Sequence, residues 1–363
     1  MTEQLKTILL IATGGTIASA EDGYGLSPVL TGVELAACVP EIESLCTLDI
    51  LQLMNIDSTN MRPADWLRIA RAIAERYDRY DGFLILHGTD TMAYTAAALS
   101  YLLLRSTKPI VLTGSQRPMT SSFTDAKLNL YQSLLYALDN ASCDVSIVFG
   151  GLAIAGTRAR KQRTMSSNAF ISVNFPPLAY IRNDRVVRAG TAFDATGSTG
   201  RAPASPTPGT IPSPAAEPSA RPAPQIAYRA LNDRVAVLKL TPGLNPHLFT
   251  ALKGDYDALI LEIYGLGGIP DYGADGPSFK NAIFDWVNSG RSIVLTTQVP
   301  EEGLDLGVYE VGRAYAEHPG ILRGGDMTTE AIVAKMMWAL GQTHDPHALA
   351  RLFYQPVNHD RLM

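Results

Sequence analysis

The chain has 363 residues, 46% of them hydrophobic, and a net charge of −5 at pH 7. That is an ordinary balance for a globular protein with a sizeable core, and length alone suggests two domains or one large one. The acidic balance disfavours a general polyanion-binding surface and points to small-molecule partners, with no nucleic acid. No stretch approaches the ~20 apolar residues of a membrane helix, and the opening Met1-Thr2-Glu3-Gln4-Leu5-Lys6 lacks the basic region of a signal peptide. Cys38, Cys46 and Cys143 have no metal-type spacing and read as buried free thiols of a reducing compartment. Together these features predict a cytoplasmic protein without a membrane partner.

In chain order, Thr7 to Ala12 reads as a buried strand leading into Thr13-Gly14-Gly15-Thr16-Ile17-Ala18. Thr31-Gly32-Val33-Glu34 is a capping box that opens a short helix. Leu48 to Met54 reads as a strand, and Pro63 suits the first turn of the next helix. That helix places Trp66, Ile69, Ala70, Ile73, Ala74 and Tyr77 on one face. Gly82 to Leu86 is a third buried strand, leading into His87-Gly88-Thr89-Asp90-Thr91-Met92, where Asp90 or Thr91 can cap the following helix. Pro109 to Thr113 and Asp144 to Phe149 are strands. The helix between them is read with Leu128, Tyr131, Leu134, Leu135 and Leu138 on its buried face.

Residues 195–225 break this pattern. They carry eight prolines between Pro203 and Pro224, interleaved with small residues, and a single large aliphatic, Ile211. Such a segment cannot bury enough apolar surface to offset its ordering entropy and reads as a semi-extended or disordered linker. Strands then resume at Val235 to Leu240, Ala258 to Tyr264 and Ser292 to Thr297, with helices at Pro277 to Asn288, after a cap at Thr328 or Thr329, and at the end. The expected fold is α/β. A larger N-terminal catalytic domain (1–194) has a mostly parallel sheet covered by helices, and the linker (195–225) joins it to a smaller C-terminal α/β domain (226–363).

Two loops concentrate the chemistry. Thr13-Gly14-Gly15-Thr16 and Gly88-Thr89-Asp90 both follow buried strands, and in open α/β sheets the carboxyl edge is where ligands bind. A threonine hydroxyl can act as a nucleophile when a partner removes its proton. Tyr24, between Gly23 and Gly25, sits in a loop suited to act as a lid. Asp57 and Ser58 match the needs of an amino acid, a carboxylate for its ammonium and a hydroxyl for its carboxylate. Asn55, Asp57, Ser58 and Asn60 are equally a turn. Arg158, Arg160, Lys161 and Arg163 read by composition as a solvated basic run. His87 reads as a hydrogen-bonded structural residue, and His344 and His347 as surface residues. No metal site is expected.

These motifs resemble the bacterial-type L-asparaginases across nearly the whole chain. Thr13 to Ala18 and His87 to Ala96 carry most of the likeness. Asp57-Ser58, Gly114-Ser115-Gln116-Arg117-Pro118, Lys161 and Gly324-Gly325-Asp326-Met327-Thr328 add to it. Ala93 and Tyr94, where the exported type II branch has acidic residues, make the chain similar to the type I, cytoplasmic branch. The resemblance implies hydrolysis of L-asparagine to L-aspartate and ammonia, possible side activity on L-glutamine, and no cofactor. It implies Thr16 as nucleophile, assisted by Tyr24, with Thr89, Asp90 and Lys161 as a proton relay. It implies substrate contacts from Gly15, Asp57, Ser58, Gly88 and Ser115, and a homodimer or homotetramer. The related tRNA-dependent amidotransferase component would require an N-terminal extension and a basic balance not seen here.

Overall fold

The structure is a computed structural model that describes residues 5–21, 26–28, 30–188, 225–226, 230–272, 276–306, 315 and 318–362. Tyr24 and the proline-rich segment up to residue 224 lie outside the described residues.

The larger sheet is built on strands β1 (Thr7–Gly14), β2 (Thr47–Ile56), β3 (Gly82–Leu86), β4 (Ile110–Thr113), β5 (Val145–Phe149) and β6 (Leu152–Ala155). A small two-stranded ribbon, β7 (Ala159–Lys161) with β8 (Phe170–Ser172), leads to β9 (Ala179–Arg182) and β10 (Arg185–Val187). Among the described residues the main sheet runs β10-β9-β6-β5-β4-β3-β1-β2. Its β2-β1-β3-β4-β5 half is parallel, and β6, β9 and β10 continue it antiparallel.

Continuous apolar runs such as TILLIA are what a strand buried on both faces requires. Alternation then sorts the side chains between two layers. Ile8, Leu10, Leu84, Leu86 and Val111 pack toward helices α1 (Gly32–Ala37) and α4 (Ala126–Leu138). Leu9, Ile11, Phe83, Ile85 and Leu112 pack toward α2 (Pro63–Ala74) and α3 (Met92–Leu102). The Thr31–Glu34 capping box of α1 forms as expected, and Pro63 occupies the first turn of α2.

Two details differ from the sequence reading. The fully buried positions of α4 are Ala126, Asn129, Leu130, Ser133, Leu134, Tyr136 and Ala137; of the expected face, Leu134 is buried and Tyr131, Leu135 and Leu138 pack half-buried against the core, whereas Leu128 is 57% exposed. Asn129 decides this rotation, because its amide group joins the loops after β4 and β5 by donating to Gly114 O and accepting from Gly150 N. Neither Asp90 nor Thr91 caps α3 through its side chain. The Thr91 hydroxyl donates to Ser58 O (2.8 Å), and Asp90 is held by a lysine.

The C-terminal domain has a parallel sheet of β11 (Val235–Lys239), β12 (Ala258–Ile263), β13 (Ser292–Thr297) and β14 (Ile321–Arg323) in that order. Helices α5 (His247–Leu252) and α6 (Phe279–Asn288) cover one face with Leu259, Leu261, Ile293 and Leu295. The other face, with Ile260 and Val294, meets α7 (Thr329–Leu340) and α8 (Pro346–Tyr354). Thr328 caps α7 by accepting from Ala331 N. Helices α3 and α7 pack together, Tyr101 lying against Trp338 with ring centroids 5.9 Å apart. One apolar cluster therefore runs from the main sheet through α2, α3, α7 and α8 into the C-terminal sheet.

A buried ion pair stands at that junction. Lys335 Nζ donates to Asp360 Oδ2 and to Gln355 O, and both charged side chains are fully buried. Tyr101 OH and Val357 N also donate to the Asp360 carboxylate. Burial pushes the Lys335 pKa down and that of Tyr101 well up, the latter with help from Asp360. Among the described residues no helix is long and apolar enough to cross a membrane. The three cysteines are free thiols, and Cys46 is buried while Cys38 and Cys143 are half-buried.

Candidate active site

Loops leaving the carboxyl ends of β1, β2, β3 and β4 meet at one edge of the main sheet. Gly14 and Gly15 turn the chain off β1 at φ values of 104° and 84°, a region that costs side chains dearly and glycine little. Space demands glycine there too. A Cβ on Gly15 would lie 2.3 Å from Gly88 N, and one on Gly88 would lie 2.5 Å from Ser58 Oγ. Gly15 N donates to Ile56 O (2.9 Å), so the loops after β1, β2 and β3 are locked together. Gly15→Ala is expected to push the first loop off the third and lower kcat by about 10²-fold, the scale of a 1 Å misplacement. A steady-state comparison with the wild type checks it.

The two threonines of the first motif have different environments. The Thr13 hydroxyl is buried and donates to Leu86 O (2.7 Å), tying β1 to β3. Thr16 begins a single 3₁₀ turn, Thr16–Ala18, and is half-buried, and its hydroxyl has no hydrogen-bond partner among the described residues.

Facing it from β3, Thr89 is buried and Asp90 exposed. Lys161, at the end of β7, donates from Nζ to Thr89 Oγ1 (2.7 Å) and to Asp90 Oδ1 (2.6 Å). Thr89 in turn donates to Gln116 Oε1 at 3.3 Å. A lysine ammonium has three protons and no lone pair, so it fixes Thr89 as an acceptor and turns that hydroxyl's proton away from itself. The structure thus separates Lys161 from the other cations of its segment. Arg158 is buried against the C-terminal domain, and Arg163 donates to Asn168 O.

Ser58 is buried and Asp57 exposed, with Asp57 Oδ1 accepting from Thr59 N (2.9 Å) to cap a 3₁₀ turn. The turn role read from the sequence is therefore real, and the carboxylate still reaches solvent. Ser115 is buried, and its hydroxyl donates to Arg117 O. Gln116 proves more central than the sequence indicated. Besides Thr89, it reaches Arg163 O (3.1 Å) and its backbone N–H donates to Asp125. Its sequence signals were its place on the loop after β4 and its membership of the Gly114-Ser115-Gln116-Arg117-Pro118 motif.

His87 is fully buried, with Nδ1 bonded to Gly88 O (2.7 Å) and Nε2 to Thr95 Oγ1 (2.9 Å), while Trp66 Nε1 donates to Thr95. The carbonyl forces the proton onto Nδ1, so Thr95 donates to Nε2 and the ring is neutral. Burial lowers its pKa from 6.5 to about 4. A depressed pKa means full stability above pH 6.5 that is lost as pH falls toward 4, because the unfolded chain takes up a proton first. The loss is expected to reach about 3 kcal/mol, read from denaturant midpoints between pH 7 and 4. His87→Gln should flatten that slope.

His344 and His347 are exposed, and no cluster of metal-ligating side chains is found among the described residues.

Comparison with known proteins places the chain in a family. The family described as Asparaginase, N-terminal matches residues 7–192, and Glutaminase/Asparaginase C-terminal domain matches residues 234–353. The L-asparaginase of Thermococcus kodakarensis is 35% identical, the match covering 96% of this chain and 97% of that one. Its solved structure superimposes with a TM-score of 0.83 at 33% identity, covering 98% of this chain and 99% of the other. L-asparaginase 1 of Escherichia coli K12 is 32% identical over 97% of both chains. A component of the glutamyl-tRNA(Gln) amidotransferase of Pyrococcus furiosus is 34% identical, covering 94% of this chain and 74% of that protein. The chain belongs to the asparaginase family, and it groups with hydrolases of the type I branch.

Proposed function

We propose that the protein hydrolyses L-asparagine to L-aspartate and ammonia through a β-aspartyl ester on Thr16. The observation that carries this reading is the Lys161–Thr89–Asp90 cluster, set against the loop of Thr16 by the Gly15–Gly88 contact. Thr16 Oγ attacks the side-chain amide carbon, its proton passes to the departing nitrogen, and ammonia leaves. Water then adds its oxygen to the ester carbonyl, and one of its protons returns to Thr16 Oγ. Lys161 holds Thr89 as an acceptor, and the long contact to Gln116 leaves the Thr89 proton ready to turn toward water. Asp57 and Asp90 receive the substrate ammonium, and Ser58, Gly15, Gly88 and Ser115 border the rest. The family's pattern assigns Tyr24 to assist Thr16. A backbone oxyanion donor beside Thr16 or Thr89 is expected, worth about 3 kcal/mol.

L-Glutamine, longer by one methylene, is disfavoured by only ~1–3 kcal/mol when a pocket reads size alone, so a side activity is expected. The free thiols support a reducing, cytoplasmic setting. The division into residues 1–194, 195–225 and 226–363 and assembly as a homodimer or homotetramer complete the reading. The amidotransferase alternative is weaker, because a net charge of −5 gives no basic balance for a tRNA partner.

Ammonia release is measured with L-asparagine and L-glutamine in parallel, followed by acid quench and peptide mass spectrometry. An aspartyl adduct on the peptide carrying Thr16 is expected. An adduct on Thr89 would reassign the nucleophile, and no ammonia from either substrate would indicate an asparagine-binding sensor.

A further inference from the structure

Arg158 stands three residues before Lys161, and its side chain is fully buried. Its guanidinium donates to Asp326 O (2.8 Å), to Asp326 Oδ2 (2.8 Å) and, from Nε, to His359 O. It also lies over the Phe175 ring at 5.8 Å, and Phe175 stacks on His359 with centroids 4.5 Å apart. Every polar partner of this side chain belongs to the C-terminal domain or to the tail that follows α8.

The neighbours repeat the pattern. Thr157 Oγ1 donates to Asn358 O, and Thr328 Oγ1 donates to Thr157 O (3.2 Å). Asn358 and His359 adopt φ values of 44° and 63°, a left-handed turn unusual for side-chain-bearing residues. That turn aims two successive carbonyls at Thr157 and Arg158. It is anchored on both sides, by Asn358 Nδ2 donating to Val145 O (2.8 Å) and by Asp360 in the ion pair with Lys335.

Arg158 is the turn residue that leads into β7, its carbonyl accepting from Val173 N (2.9 Å), and Lys161 ends the strand three residues later; their side-chain partners lie in different places. Arg158 looks into the C-terminal domain, and Lys161 presents its ammonium to Thr89 and Asp90. Strand β7 is only three residues long and is paired on a single side, to β8. Such a short ribbon has little rigidity of its own, so its position is set by what grips its ends.

We propose that Arg158 is a positioning residue for catalysis: by clamping the start of β7 to Asp326 and His359, it fixes the distance at which Lys161 meets Thr89 and Asp90. This rests on the role given to Lys161 above. The clamp requires the guanidinium fork, since one planar group serves a side-chain oxygen and two backbone carbonyls in fixed directions, which a lysine cannot do.

The test is a double-mutant cycle in the full-length chain with L-asparagine as substrate. Arg158→Lys keeps the charge and loses the fork. It should lower kcat by about tenfold or more while KM moves much less, as misplacement of a group acting in the chemical step requires. In a Lys161→Met background, the same change should bring little further loss, because the two residues act as one unit. Asp326→Asn removes the charged end of the clamp while keeping the backbone acceptor, and should reproduce the kcat effect if Arg158→Lys fails to fold. Variants that melt earlier yet keep wild-type kcat would make Arg158 merely structural and overturn the proposal. So would losses that multiply with that of Lys161→Met. If Lys161→Met itself retains full activity, the catalytic reading of Lys161 fails first, and the single mutant shows this before the cycle is closed.

Discussion

Thr16→Ala is expected to lower kcat for L-asparagine by about 10³-fold or more, the usual scale for losing a covalent nucleophile, with the melting temperature close to that of the wild type. The two halves of this expectation have separate causes. The Thr16 hydroxyl makes no hydrogen bond among the described residues, so its removal leaves no buried group unpaired. Thr13 is the matched control. Its hydroxyl is buried and bound to Leu86 O, so Thr13→Val should cost about 1 kcal/mol of stability and leave most of the activity. Opposite losses in the two threonines separate nucleophile from strut within one four-residue motif. If Thr16→Ala turned over asparagine at a rate near the wild type, the acyl-threonine mechanism would be wrong.

Lys335→Ala is expected to be the most destabilising single change, by about 3–5 kcal/mol, because it strands the Asp360 carboxylate in the interior. Asp360 would retain Tyr101 OH and Val357 N as donors but lose its ion-pair partner. The double variant Lys335→Met with Asp360→Asn should recover much of the loss, since a neutral pair of similar size has no charge to desolvate. Denaturant unfolding of the three proteins checks this. A loss below about 1 kcal/mol for Lys335→Ala would show that solvent reaches the pair.

The buried strands, the mostly parallel sheet and the meeting of the glycine–threonine loops were legible because they rest on local patterns. Buried strands write themselves as apolar runs, and positive φ writes itself as Gly14-Gly15. On α4 the expected face was right except at its edge, where Leu128 turns to solvent and Asn129 is buried, a polar residue whose burial makes sense only once the loops after β4 and β5 are in place. The basic run around Lys161 was ambiguous for the same reason. Composition cannot tell a solvated arginine from Arg158, whose partners lie 168 and 201 positions further along. The Lys335–Asp360 pair gave no signal either, since a lysine on an otherwise apolar helix ordinarily reads as its exposed edge.

The unbroken apolar cluster through α3 and α7 bears on how the chain comes into being. A domain that folds alone must carry its own cover, and here the main sheet's layer of α2 and α3 borrows its outer cover from a helix that follows the whole second sheet in the chain. Until α7 emerges, Tyr101 and its neighbours on α3 have no Trp338 to lie against, and that face is a sticky surface on a half-made protein. Two sheets that look separable on paper should therefore gain and lose their order in a single cooperative step, with the interval before α7 emerges as the period when aggregation competes with folding.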